Sequence, residues 1–290
     1  MVPDIYGLVN RKGVSDADAW FTPDLARDFS QDVARRLVRQ LGSNQQRRTL
    51  RLSKLGAQCP CALWHSVNTP ELAEPLPAWA TIKYSYGHIL EALAITLAKA
   101  SGHLVVGEQD EVSVDGIVGH RDCVVDGCIV DVKSATSIGF QKFKSRAFNE
   151  NTDSFGYLAQ LDGYLVGSAN DPLVTVKDTA YLLVIDKTLG HMCTYEHKIR
   201  EDFIRDRIKR YKAIVAQDTP PACECGTRPD GQSGNVILDT VASYNPFKYC
   251  CFPKLRTFLF AEGPRYFTVV KRRPLDRIIE VDKFGKVVYN

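Results

Sequence analysis

Asp122, Asp131 and Lys133 stand in the strand-like parts of residues 119–136, "GHRDCVVDGCIVDVKSAT", among Val, Ile and Cys. Asp126-Gly127 accepts φ > 0 at both central positions of a type I′ turn, so the stretch reads as a β-hairpin. Counting outward sets Val125 opposite Cys128, Val124 opposite Ile129, Cys123 opposite Val130, Asp122 opposite Asp131 and His120 opposite Lys133. Period-2 alternation then puts Asp122, Asp131 and Lys133 on one face. Directly opposed β-carbons lie about 4.5–5.5 Å apart, a separation at which like charges destabilise a strand pair. Two aspartates placed so call for a cation. A divalent metal with hard oxygen ligands supplies one, and Lys133 would lie beside whatever that metal holds. The alternative is a solvent-facing hairpin edge, against which the flanking apolar residues argue for a strand covered on its other face.

The cysteines offer a second, softer chemistry. There are nine, an odd number, and "MVPDIYGLVNRKG" has no signal-peptide core, so thiols or metal ligands are expected rather than a disulfide framework. Cys123, Cys128 and Cys193 lie in strand-like apolar runs and are read as core. Cys59, Cys61, Cys223, Cys225, Cys250 and Cys251 come as close pairs in irregular segments, as soft-metal ligands often do.

At 290 residues, 44% hydrophobic and 24% charged, the chain has the composition of a globular protein with a full core. No apolar run approaches the ~18 residues of a membrane span, so a cytoplasmic protein with no membrane partner is expected. Net charge is only +3, but it is unevenly spread. Between Val33 and Pro70 lie Arg35, Arg36, Arg39, Arg47, Arg48, Arg51 and Lys54 with no Asp or Glu. Smaller groups follow at Lys142, Lys144 and Arg146, and at Arg265, Lys271, Arg272 and Arg273. Such clusters suit a phosphate backbone or a solvated face.

Several elements must position these groups. Thr22-Pro23-Asp24 opens a helix through Leu41 that Gly42 ends, and the polar "SNQQRRT" follows as a linker. A helix from about Tyr86 to Ala100 places Ile89, Leu93 and Leu97 on one face, with Gly102 as its stop. Strands occupy about 104–133, and "DSFGYLAQLDGYLVGS" makes a second helix. "AYLLVID" and "MCTYEHK" form a strand pair, 199–217 a solvated helix, and "RYFTVV" and "RIIEVD" late strands. This order gives an α/β core with a mixed central sheet flanked by helices. A helix packed across that sheet would bring Glu91 toward the aspartate pair as a third oxygen ligand. Tyr157, Gln160 and Tyr164, at i, i+3 and i+7, share a stripe that suits either a substrate-facing surface or plain aromatic packing.

These residues carry a resemblance. "GHRDCVVDGCIVDVKSAT" resembles the PD-(D/E)XK nuclease superfamily, with Asp122 as the first acidic residue, Asp131-Val132-Lys133 as the (D/E)XK, and Arg121 in place of the proline. "GHILE", ending in Glu91, and "QLDGY", with Gln160 and Tyr164, resemble the preceding and following motifs of the RecB-like branch. The likeness spans about residues 50–215 and is greatest to phage-encoded exonucleases related to the CRISPR-associated nuclease that carries a four-cysteine iron–sulfur cluster.

The resemblance implies a restriction-endonuclease-like core at 49–218, with a helical N-terminal extension at 1–48 and a Cys-containing C-terminal segment at 219–290. It implies a metal-dependent DNA exonuclease acting in DNA degradation, replication or recombination, in the bacterial host cytoplasm if phage-encoded. Alternatives are an endonuclease of the same fold and a catalytically silent nucleic-acid binding protein. Glu91, Asp122, Asp131 and the Val132 carbonyl would hold Mg²⁺ or Mn²⁺. Lys133 would orient or help deprotonate a water, Gln160 would position water or phosphate, and Tyr164 would meet the DNA strand or support Gln160. "LSKLGAQCPCALWHSVNTPEL" resembles the segment whose cysteine, here Cys59, is the first cluster ligand. "DGQSGNVILDTVASYNPFKYCCFPKLRTF" resembles the segment giving the other three in a C-x2-C-x5-C spacing. Ala242 and Asn245 occupy the first two places and Cys251 keeps the third. Cys59, Cys61, Cys225 and Cys251 are thus candidates for a rearranged iron–sulfur cluster or zinc, and loss of the metal is the remaining alternative.

Overall fold

The computed structural model describes residues 1–11, 20–42, 48–56, 59–275 and 277–288. Much of the polar linker, including Arg47, lies outside them. Helices α1 (Val2–Val9), α2 (Pro23–Gly42), α3 (Pro60–Asn68) and α4 (Ala78–Ala100) precede five strands: β1 (Val105–Val106), β2 (Glu111–Val114), β3 (Ile117–His120), β4 (Cys123–Val125) and β5 (Cys128–Ala135). Helices α5 (Ser137–Lys144) and α6 (Tyr157–Gly167) lead to β6 (Thr179–Asp186), β7 (Met192–Lys198) and α7 (Glu201–Val215). The remainder forms β8 (Thr227–Pro229), β9 (Val236–Leu238), α8 (Thr240–Ser243), α9 (Lys248–Cys251), β10 (Arg256–Phe260), β11 (Gly263–Val269) and β12 (Ile279–Val281).

The chain divides into two compact units, one of residues 1–45, 51–55 and 77–206, the other of 46–50, 56–76 and 207–290. In the first, five strands in the order β1-β4-β5-β6-β7 make a mixed sheet flanked by helices. Only β5 and β6 run parallel, and the chain between them supplies α5 and α6. Ala94 and Ile95 of α4 pack with Cys123, Val125, Val130, Val132, Leu183 and Ile185 on one face of this sheet. The fold is therefore the mixed α/β class expected, with a helical N-terminal region.

Asp126 and Gly127 both have positive φ, +49° and +81°, which is the backbone of the type I′ turn. At the start of α2, Thr22 Oγ1 accepts from the Leu25 amide at 3.3 Å and so caps an otherwise orphaned donor. Helix α4 begins eight residues before Tyr86, and its buried face is not the one that apolar spacing picks out. Glu91, Ala92, Ala94, Ile95 and Ala98 are buried, while Leu93 is 37% exposed. Small residues on the sheet side let the helix approach closely, and the bulkier Leu93 faces away.

The second unit contains an antiparallel sheet in the order β12-β10-β11-β9-β8, closed around Ile237, Phe258 and Phe267. No helix among the described residues is long and apolar enough to cross a membrane.

Candidate functional site

Strand β5 carries Asp131, Val132 and Lys133 with alternating side chains. Val130 and Val132 lie in the cluster against α4, so Asp131 and Lys133 point to the opposite face. Asp131 is 1% exposed, and its Oδ1 has no hydrogen-bond partner among the described residues. The Lys133 ammonium stands 2.5 Å from Asp131 Oδ2 as an ion pair. It also lies 5.0 Å from the centre of the Tyr157 ring, on α6.

The hairpin keeps the expected register at Val125–Cys128, Val124–Ile129 and Cys123–Val130, and there the ladder ends. Asp122 leaves the strand, and its Oδ2 accepts the Val132 amide proton at 2.8 Å instead of standing in a cross-strand pair. His120 is not opposite Lys133. It belongs to β3, which pairs with β2 in a separate two-stranded sheet, and it faces Glu111 there. Arg121 explains the break: its guanidinium, 1% exposed, turns inward to Asp110 at 2.9 Å and Asp171 at 2.5 Å.

Glu91 comes to this site from α4, but with company that spacing did not reveal. Arg36 of α2 is buried and pairs with Glu91, and its Nε donates to Asp32 at 2.7 Å. Gln109 Nε2 donates to Glu91 Oε1 at 2.9 Å and reaches Asp122 Oδ1 at 3.4 Å, so one amide bridges the two carboxylates. Gln109 holds φ at +58°, a left-handed backbone that a non-glycine residue adopts at a cost of order 1 kcal/mol. Among the described residues, Glu91, Asp122 and Asp131 do not close to mutual distances within 4.8 Å. Glu91 and Asp122 share the Gln109 amide, and Asp131 holds the Lys133 ammonium.

Of the stripe on α6, Gln160 Nε2 donates to the Tyr164 hydroxyl at 2.7 Å, and that hydroxyl donates to the His120 carbonyl at 2.7 Å. Tyr164 is 2% exposed, with its hydroxyl engaged by Gln160 and the His120 carbonyl. Of the basic segment before Pro70, Arg36 is turned inward and Arg48 pairs with Glu71 at 2.9 Å. Lys142, Lys144 and Arg146 are exposed.

Burial, then the nearby Asp131 and Glu91 charges, push the Asp122 carboxyl well above the carboxylate range. Burial also raises Asp131, against the pull of Lys133. Burial would lower Lys133, but Asp131 and Asp122 outweigh it and raise the amine, which stays a cation. For Glu91, the His88 hydrogen bond and the Arg36 charge overcome burial and bring its pKa down. A raised carboxyl binds its proton more tightly in the folded state than in the unfolded one. Its contribution to stability is complete below the unfolded value and is lost as pH rises through the folded value. The metal-free protein is therefore expected to lose stability with rising pH from about 4 upward. Asp122→Asn, which keeps the acceptor for Val132, should flatten that loss. A relief of about 1 kcal/mol would raise Tm by ~2–4 °C. Melts in a chelator at several pH values test this; parallel curves for wild type and variant would contradict it.

In the second unit Cys59, the N-cap of α3, meets Cys223, Cys225 and Cys251, with all four sulfurs within 4.8 Å of one another. This group of four can bind a metal. Cys223 stands where Cys61 was expected. Pro60 starts the helix and Cys61 falls in its first turn, and Cys61 is not among the four. Hydrogen bonds from Cys225 and Cys251 hold the Cys59 thiol well below its usual range. Of the expected core cysteines, Cys123 is buried, whereas Cys128 and Cys193 are half-buried.

No protein-family model matches this chain, and no curated protein matches it. Among solved structures it is similar to an alkaline exonuclease from Laribacter hongkongensis, at 13% identity and a TM-score of 0.41, over 59% of this chain and 88% of that one. It is also similar to the protein SSO0001, at 16% identity and a TM-score of 0.42, over 77% of this chain and 95% of that one. A phage-related exonuclease from Haemophilus somnus 129PT is similar at 16% identity and a TM-score of 0.38, over 58% of this chain and 91% of that one.

Proposed function

We propose that the chain hydrolyses phosphodiester bonds of DNA with a divalent metal, working from an end. One observation carries the reading: a buried Asp131 carboxylate that meets Lys133 through Oδ2 and leaves Oδ1 without a partner among the described residues, beside a second raised carboxyl and a lysine kept cationic. Buried carboxylates grouped so are a hard-cation donor set, and a purely structural ion pair would not require the second acid.

Asp122, Asp131, Glu91 and the Val132 carbonyl would hold Mg²⁺ or Mn²⁺. When bound, such an ion supplies an activated water and positive charge for the phosphate. The protein's own groups do the rest. Lys133, fixed as a cation, offsets charge that grows on the phosphate oxygens rather than removing a proton. Gln160, its orientation set by Tyr164, holds a water or a phosphate oxygen. Gln109 and Arg36 engage Glu91, and would have to yield it for all three acids to act together.

End-labelled linear DNA and covalently closed circular DNA, each with and without Mn²⁺, test the reading. Shortening of the linear strand only, and only with metal, is the expected result. Cutting of the circle would make the protein an endonuclease. Salt-dependent binding of both forms without product would make it a silent DNA-binding protein.

A further inference from the structure

The sulfur of Cys59 lies 3.9 Å from that of Cys223 and 3.9 Å from that of Cys251, and Cys225 lies 3.7 Å from Cys251. One ion bonded to four thiolates at Zn–S of about 2.3 Å makes every edge of its tetrahedron about 3.8 Å. A four-iron cluster instead places each thiolate on a separate iron, which spreads the sulfurs well beyond one such edge. The observed spacing fits a single ion and does not fit the cluster that the sequence resemblance implies.

The donor set has moved as well. Residues 242 and 245, where that resemblance calls for cysteines, are Ala and Asn, and the chain after α7 brings Cys223 and Cys225 instead. Asn245 has not become idle. Its side-chain amide donates to the sulfur of Cys225 at 3.3 Å and to that of Cys251 at 3.5 Å. Its Oδ1 accepts the Phe247 amide proton at 2.9 Å, which fixes the NH₂ end toward the sulfurs. The Cys225 backbone N–H adds a further bond to the sulfur of Cys223, at 3.4 Å.

We propose that Cys59, Cys223, Cys225 and Cys251 bind one structural zinc ion in a closed tetrahedral site, and that Asn245 is a positioning residue that steadies two of its thiolates. Each thiol gives up its proton on binding, and four thiolates around Zn²⁺ carry a net charge of −2. N–H···S bonds from Asn245 and the Cys225 backbone disperse that charge. Four protein ligands leave no open position, so the ion ties together distant parts of the chain and takes no part in cleavage. A lone iron would fit the same tetrahedron, but zinc binds more tightly in the divalent series and needs no redox partner to hold its state.

Metal analysis of the full-length protein tests this independently of nuclease activity. The expected result is one zinc per chain, no iron and no visible absorption. Stripping and reloading with Co²⁺ should give tetrahedral ligand-field bands and thiolate-to-cobalt charge transfer. Cys223→Ser should lose the ion, whereas Cys61→Ser should keep one equivalent. Asn245→Ala should keep full occupancy but release the ion to a chelator with affinity lower by about 10–100-fold. If Cys223→Ser does not fold, the cobalt spectrum of the wild-type protein decides alone. Iron with charge-transfer absorption in protein purified without oxygen would overturn the proposal. So would a metal-free protein with no cobalt bands, or a Cys61→Ser variant that loses the ion.

Discussion

Asp131→Asn and Lys133→Met are each expected to lower Mn²⁺-dependent cleavage of linear DNA by about 10²–10³-fold or more, the loss typical of removing one preorganised electrostatic group from a water-poor site. The two variants should part company in stability. Lys133→Met leaves the buried Asp131 carboxylate uncompensated, which costs about 3–5 kcal/mol when one partner of a buried ion pair is deleted. Asp131→Asn removes a charge that burial already disfavours, and leaves an ammonium that is 19% exposed and within reach of water. It should therefore melt near the wild type. Cleavage rates, circular dichroism and melts on the same preparations separate lost chemistry from lost fold. Undiminished turnover by Asp131→Asn would end the metal-site reading, and equal destabilisation of both variants would deny the buried ion pair.

The second large effect should come from Arg36, in the N-terminal helical region. Arg36→Met leaves Glu91 and Asp32 without their shared cation. By the same reasoning the metal-free protein should lose about 3–5 kcal/mol, or roughly 10 °C in Tm. Glu91 would then be free for a divalent ion. Millimolar Mn²⁺ should recover much of that loss in the variant, and should raise the Tm of the wild type by less. Arg36→Met together with Glu91→Gln should melt higher than Arg36→Met alone, without the recovery by metal. A variant that melts like the wild type in chelator would mean that the Arg36 pair contributes nothing, as many ion pairs at exposed positions do.

Local signals made much of this molecule legible. Asp126-Gly127 set a hairpin whose three inner pairs form as counted, Thr22-Pro23 and Gly42 bounded α2, and "AYLLVID" and "MCTYEHK" became β6 and β7. What stayed hidden depends on contacts between distant residues. Arg36 meets Glu91 across 55 positions, and nothing in the neighbourhood of either announces the other. Gln109 is set by a left-handed backbone in a loop, where no periodicity operates. The fourth hairpin pair failed because Arg121, which lies beside Asp122, is drawn inward by Asp110 and Asp171. In the second unit β8, β9 and β12 are three residues each, too short for alternation to register.

The second unit is assembled from chain that leaves the ribosome at widely separated times: residues 46–50 and 56–76 early, and 207–290 much later. Cys59 and Cys251 are 192 positions apart. Throughout synthesis of the intervening chain, the Cys59 thiol waits with none of its partners made. The unit cannot close before that later chain has emerged, and contacts of such sequence separation carry a large loop-closure cost. A ribosome stalled before residue 223 would leave α3 without its four-sulfur site. Emergence of the segment that carries Cys223, Cys225 and Cys251, rather than growth of the central sheet, is what allows this half of the protein to close.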